Sequence, residues 1–322
     1  MILKEQSAPI VFIMGPTASG KTALAIDLYQ KNNDTLSFEI ISVDSAMVFT
    51  QMEIGSAKPT AQELALAPHH LIDFVDPADR YSVSEFRQQS IKLINQIHSA
   101  GKVPLFVGGT MLYFKALKDG LADMPSTDDK IRLKVKQELE QHGVEWLHKQ
   151  LSLVDKKTAD RLHVNDSQRI TRAWEVYQMT GKPLSAWHAE QKKQSLQNPI
   201  LSIALAPQDR AVLHQRIEKR FYRMLELGFV EEVKRLFERG DLDLECPSMR
   251  SVGYRQIWLY LLGELSLDEA VERAIIATRQ LAKRQYTWLR SWPDINWFDP
   301  LDENSLVACE QLIYRFCSLH SV

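Results

Sequence analysis

An α/β fold, with a P-loop-type parallel sheet covered by helices and a helical insertion, is the architecture this 322-residue sequence predicts. Three observations predict it. Apolar runs at Ile10-Val11-Phe12-Ile13-Met14, Phe38-Glu39-Ile40-Ile41-Ser42-Val43 and Val103-Pro104-Leu105-Phe106-Val107 alternate with helix-forming stretches, the rhythm of strand–helix–strand units. The first run ends in a glycine-rich turn that opens a helix. Strand signals then stop near Leu121 and return only at Leu201-Ser202-Ile203-Ala204-Leu205.

Taken in order, the first strand leads through the turn into Ala23 to Tyr29, a good helix former, and the second strand ends at Asp44. A helix is predicted from Ser84 to His98, ahead of the third run, which ends in Gly108-Gly109-Thr110. In a parallel sheet of this kind ligands bind at the carboxyl ends of the strands. Gly15 to Thr22, Asp44 and Gly108 to Thr110 are therefore expected in one crevice. Residues 122-198 are charged and helix-forming, with breaks at Met124-Pro125-Ser126 and Gly181-Lys182-Pro183, and read as a helical insertion. Residues 1-121 and 199-322 make the sheet domain, which continues as helices over Arg216 to Leu227, Leu267 to Leu289 and Ser305 to Phe316.

Composition sets bounds on function. With 45% hydrophobic and 25% charged residues the chain has the balance of a soluble globular protein. Cys246, Cys309 and Cys317 form no CxxC pair, so neither a zinc site nor a disulfide framework is expected, and they read as small hydrophobes in a reducing cytosol. No leader peptide and no apolar run long enough for a bilayer are read, so a cytoplasmic protein without a membrane partner is expected. A formal net charge of -2 does not mark a nucleic-acid binder, so that reading must rest on local charge.

Gly15-Pro16-Thr17-Ala18-Ser19-Gly20-Lys21-Thr22 fits GxxxxGK[ST] between strand and helix. In that setting backbone N–H groups and the helix N-terminus meet a phosphate chain, Lys21 adds a point charge, and the Thr22 hydroxyl is placed for Mg²⁺. A nucleoside triphosphate is the usual cargo, yet the strand before Gly108 ends without an acid, and no segment reads as a purine pocket. A diphosphate leaving group would suit the same donors.

Asp44 follows the second strand and faces the crevice. Metal ligation, general base and helix N-cap are all open to it, with cap and metal ahead of base on local sequence alone. Lys58 could add charge for phosphate, though a solvated loop lysine is the plainer reading. From Arg273 to Arg290 there are five basic residues and no acidic one. Arg279, Lys283, Tyr286 and Arg290 fall on one helical face, as a stripe tracking phosphates would, while Leu281, Ala282, Gln285, Trp288 and Leu289 would pack on the other. A solvated basic face is the ordinary reading of such a run. The seven tryptophans read as packing, and the nine histidines form no ligand set.

Several segments together resemble the tRNA dimethylallyltransferase (tRNA isopentenyltransferase) family. They are GPTASGKT at Gly15 to Thr22, DSAMVF at Asp44 to Phe49, IGSAKP at Ile54 to Pro59 and HHLIDFVDP at His69 to Pro77. VGGTMLYFKAL at Val107 to Leu117, NDSQRITRAWEVYQMTGKPLS at Asn165 to Ser185, MRSVGYRQIWLYLLGE at Met249 to Glu264 and ATRQLAKRQYTWLR at Ala277 to Arg290 follow in family order. Phe49 stands where a tyrosine is usual, and Glu53 and Ser56 replace the usual aspartate and threonine. The zinc-finger extension of eukaryotic members is missing, so a bacterial-type enzyme is expected.

The resemblance implies transfer of a dimethylallyl group from dimethylallyl diphosphate to the N6 amine of adenosine 37 of tRNA, with Mg²⁺ as cofactor and no obligate protein partner. It implies the diphosphate in Gly15 to Thr22, Asp44 as general base and Thr110 as a residue holding the acceptor base. It also implies tRNA contacts at Asp44, Ser45, Ala46, Met47 and Thr110, and in the insertion at Arg132, Gln168, Arg169, Ile170, Thr171 and Arg172, where the anticodon arm would be gripped. Further contacts are implied at Arg250, Ser251, Val252, Gly253, Tyr254 and Arg255, and at Lys283, Arg284, Gln285, Tyr286, Thr287, Trp288, Leu289 and Arg290. The rivals are an ATP-dependent small-molecule or nucleoside kinase and a non-enzymatic RNA-binding NTPase module.

Overall fold

The computed structural model describes residues 8–32, 36–121, 128–190 and 194–320. The Met124-Pro125-Ser126 break lies outside them.

Among the described residues six strands form one parallel sheet, β1 (Ile10–Met14), β2 (Phe38–Val43), β3 (His69–His70), β4 (Val103–Gly108), β5 (Ile200–Leu205) and β6 (Ile295–Phe298), in the order β3-β2-β4-β1-β5-β6. Central β1 pairs with β4 on one side and β5 on the other, Val11 standing opposite both Leu105 and Leu201. All five of its side chains are fully buried, because helices cover both faces and leave no solvent side for polar alternation. After β1 the chain builds β2 and β4 on one flank, and later β5 and β6 on the other. The crevice opens where these directions part, at the carboxyl ends of β1, β2 and β4.

The helices of this part are α1 (Lys21–Gln30), α2 (Ala61–Leu66), α3 (Val83–Ser99) and α4 (Met111–Asp119). One face of the sheet packs Leu24, Ala25 and Leu28 of α1 together with Cys309, Ile313 and Cys317 near the C-terminus. Burial pushes both of those thiols up to about 12, so they behave as inert core residues.

In the insertion lie α5 (Asp129–Val154), interrupted at Gly143 where φ is 80°, then α6 (Lys156–Ala159), α7 (Ser167–Thr180) and α8 (Leu184–Glu190). Contacts divide the chain into two compact units, Asp119–Leu196 and the remainder. The insertion has its own core of Val135, Leu147, Leu151, Ala159, Ile170, Ala173 and Trp174. Each large aliphatic side chain there stabilises by about 1.5–3 kcal/mol.

After β5 come α9 (Arg210–Glu226), α10 (Phe229–Glu238), α11 (Tyr254–Leu261), α12 (Leu267–Arg290) and α13 (Glu303–His320). The start of α12 follows from its sequence. Ser266 accepts the Glu269 N–H while Glu269 returns to the Ser266 N–H, a reciprocal cap. Its 24 residues bury Ala270, Val271, Ala274 and Ile275 in one hydrophobic cluster, which fixes the helix along the crevice.

Candidate active site

The turn from β1 to α1 stays tight because of its first residue. A Cβ on Gly15 would stand 2.3 Å from the Leu205 carbonyl oxygen, so only glycine lets the loop pass that close to β5. Lys21 Nζ donates to the Pro16 carbonyl at 2.7 Å and reaches Ser19 Oγ at 3.5 Å. The lysine thus curls back over its own loop, with the α1 N-terminus beside it. Burial pushes its ammonium down to about 7, against the pull of Asp44 and with a further push from Arg220. An anion placed beside it would favour its charged form.

A cleft of about 980 Å³ joins this loop to the strand ends. Thr17, Ala18, Ser19, Gly20, Lys21 and Thr22 line one side, and Asp44, Ser45, Ala46, Met47 and Thr110 another. The expected crevice is therefore formed. Asp44 Oδ1 accepts the N–H groups of Ala46 at 2.8 Å and Met47 at 3.3 Å, so it caps a turn. The helix N-cap reading does not hold, because the residues after Asp44 form bends and turns and the next helix is α2. Thr110 Oγ1 accepts the Ser45 N–H at 3.1 Å and lies 3.5 Å from Ser45 Oγ.

The third wall is cationic and was missed. Arg216, Lys219, Arg220 and Arg223 of α9 line the cleft. Arg220 Nη1 reaches Thr17 Oγ1 at 3.5 Å, and burial holds its guanidinium below the usual range. Arg216 Nη1 is buried without a partner among the described residues, an orphaned donor of the kind that marks a missing ligand. The signal was present as basic residues at i, i+3, i+4 and i+7, one helical face. Nothing in the sequence said which way that face would turn.

Lys58 belongs to neither of its two readings. Its side chain is 4% exposed, and its Nζ donates to Asp73 at 2.6 Å and the Phe49 carbonyl at 2.9 Å. It is a loop strut.

Among the remaining sites, Arg250, Ser251 and Val252 line the cleft. Tyr254 does not: it is fully buried, and its hydroxyl donates to Glu232 at 2.6 Å. Gly253 is buried ahead of α11, and Arg255 is exposed beside it. In the insertion Gln168 and Arg169 are exposed, Arg169 pairing with Asp166 at 3.4 Å and Arg172 with Glu175 at 3.5 Å. Thr171 and Arg132 are half-buried. Ile170 is core and offers no surface to RNA.

On α12 the expected stripe is divided. Tyr286 is 6% exposed and donates to the Pro207 carbonyl at 2.7 Å. Arg279 pairs with Glu218 at 2.7 Å, and Arg290 lies over the Tyr286 ring at a separate hollow with Trp297. Leu289 is core, while Lys283 and Thr287 are exposed. The face toward the cleft is instead Thr278, Leu281, Arg284, Gln285 and Trp288. Three of these, Leu281, Gln285 and Trp288, read as packing from helical spacing, although the resemblance also implies Gln285 and Trp288 as tRNA contacts.

A cleft with cations on one side and a carboxylate on the other suits group transfer, in which an oxyanion is received and a proton accepted. Comparison with known proteins narrows the class. A family model described as IPP transferase matches residues 47–292, and one described as isopentenyl transferase matches residues 8–73. The full-length tRNA isopentenylpyrophosphate transferase from Bacillus halodurans is 34% identical, with 98% of each chain covered and a TM-score of 0.71. A tRNA Δ(2)-isopentenylpyrophosphate transferase from Staphylococcus epidermidis is 35% identical over 96% of this chain and 99% of its own, with a TM-score of 0.67. A eukaryotic dimethylallyltransferase acting on tRNA is 30% identical over 95% of this chain and 78% of its own, with a TM-score of 0.79.

The protein is thus an enzyme of the prenyl-transferase class. It belongs to the tRNA isopentenyltransferase (tRNA dimethylallyltransferase) family.

Proposed function

We propose that this enzyme moves a dimethylallyl group from dimethylallyl diphosphate to the N6 amine of adenosine 37, next to the anticodon of tRNA, giving N6-(dimethylallyl)adenosine and diphosphate. The observation that carries the reading is the opposition, in one cleft, of Asp44 to Lys21 and the basic face of α9.

The exocyclic amine is a weak nucleophile because its lone pair is delocalised into the ring. As that pair forms the new C–N bond, the allylic C–O bond breaks and its electrons leave with the diphosphate. Lys21, Arg220 and the α1 N-terminus meet the departing charge. The N6 proton passes to Asp44. Thr110, fixed against Ser45, borders the space for the acceptor base, which must leave its stack to enter.

Among the described residues no three His, Cys, Asp or Glu side chains gather as a metal site. A Mg²⁺ ion that keeps its waters and binds mainly through substrate oxygens needs no such cluster. The Thr22 hydroxyl, in the cleft lining, would hold it beside the diphosphate, where its charge would favour departure. Residues 122-198, through Arg132, Gln168, Arg169, Thr171 and Arg172, would take the anticodon arm, and Arg250 and Arg284 would add cations at the cleft.

Bulk tRNA from cells lacking this protein is expected to lose its prenylated adenosine, as read by nucleoside mass spectrometry. Restoration by the wild type and not by Asp44→Asn supports the assignment. Undiminished prenylated adenosine in the deletion strain overturns it.

A further inference from the structure

Gln285 stands in the middle of α12 with 8% exposure. An amide this deep is costly unless both of its ends are bonded. Its Oε1 accepts the Thr17 backbone N–H at 3.0 Å, and its Nε2 donates to the Gly109 carbonyl at 3.0 Å. The first partner belongs to the glycine loop, and the second precedes Thr110. Gly109 is fitted to this bond. A Cβ there would lie 2.3 Å from Gln285 Nε2 and 3.2 Å from the Gly15 carbonyl oxygen, so any side chain would expel the amide.

From Gly109 the connection continues. The Thr110 N–H donates to the Val43 carbonyl at 3.2 Å, and Thr110 Oγ1 holds Ser45, the residue after Asp44. One side-chain amide therefore joins the loop bearing Lys21 to the strand ends bearing Thr110 and Asp44. The helix that supplies it also presents Arg284 and Trp288 to the cleft.

We propose that Gln285 is a positioning residue that sets the spacing between the diphosphate cradle and the acceptor side formed by Asp44 and Thr110. The proposal rests on the transfer reaction above and deepens it. Attack requires nitrogen, carbon and leaving oxygen in line, and a misplacement of about 1 Å costs on the order of 10²-fold. If Gln285 served only as packing, an unbranched apolar side chain of equal length would replace it.

Two variants separate these roles. Gln285→Met keeps the length and removes both hydrogen bonds. Gln285→Glu keeps the acceptor for Thr17 but donates to Gly109 only when protonated. Gln285→Met should lower kcat by about 10- to 100-fold while tRNA affinity stays within about twofold. Gln285→Glu should be impaired near pH 8 and recover by about tenfold, relative to wild type, as the pH falls toward 6 and its carboxyl regains a proton. Lys21, Asp44, Glu63, His69, Arg216, Lys219, Arg220, Arg223, Arg250 and Arg284, the charged and titratable groups lining this cleft, are common to variant and wild type, so their own titration divides out of the ratio.

A methionine variant within about threefold of wild-type turnover overturns the proposal. So does a flat ratio for the glutamate variant, or turnover lost only in step with the melting temperature. Failure of the transfer reading looks different, because the wild type itself would then prenylate no tRNA. Calorimetry with inorganic diphosphate still decides in that case: weaker binding to Gln285→Met supports a cradle held by the amide, and equal binding contradicts it.

Discussion

Asp44→Asn is expected to reduce kcat for prenyl transfer by about 10²- to 10⁴-fold, the range for a lost general base, with donor affinity nearly unchanged. Asparagine is the discriminating substitution. Oδ1 of Asp44 accepts from Ala46 and Met47, and an asparagine Oδ1 can do the same. The cap survives and the basic oxygen is lost. Steady-state kinetics with melting curves decide between the roles. A variant with near-normal turnover would leave Asp44 a structural cap. One that loses diphosphate binding in proportion to turnover would make it part of the phosphate or metal site.

Lys21→Met should lower kcat by about 10²- to 10³-fold, the loss seen when one donor to a developing oxyanion is removed, and should also weaken diphosphate binding. tRNA binding without donor should be retained. The pH dependence identifies the mechanism. Before diphosphate binds, burial holds the Lys21 ammonium down to about 7, so near pH 8 the amine is largely neutral. A bound diphosphate favours the charged form and raises that value, so binding at this pH takes up a proton. Below the depressed value the ammonium is already charged, and the uptake vanishes. Calorimetry with inorganic diphosphate and a chelator, in buffers of different ionisation enthalpy, reads this directly. Equal uptake by wild type and Lys21→Met would assign the proton to another group.

The parts of the site that were legible in the sequence are those whose chemistry is local. A buried strand, a glycine turn and a helix start within a dozen residues of one another, so Gly15 to Thr22 could be placed from composition and order alone. Asp44 and Thr110 followed because the ends of parallel strands converge. β3 and β6 were not legible. β3 is two residues long, and β6 contains Asn296 and Trp297 on an edge, so pairing with β2 and β5 rather than propensity makes them strands.

Gln285 shows the same limit within the site. Its position predicted a packed helix face, and it is packed, but its bond partner Thr17 is 268 residues away. Tyr286 and Arg279 misled for the opposite reason. Helical spacing gives a common face, whereas the neighbours Pro207 and Glu218 decide what that face meets. The cationic wall of α9 lay between these cases, with a legible spacing and a destination set by tertiary packing.

The central claim is that Lys21 and the basic face of α9 receive the diphosphate of a prenyl donor while Asp44 takes the proton of an adenosine amine. Incubating the purified protein with dimethylallyl diphosphate labelled in its allylic carbon, Mg²⁺ and unmodified tRNA, without ATP, tests it most directly. After digestion to nucleosides, the label should be found in N6-(dimethylallyl)adenosine, with one diphosphate released for each group transferred. Label that stays in the donor, or that moves only when ATP is supplied, would contradict the account and return the cleft to the chemistry of a kinase.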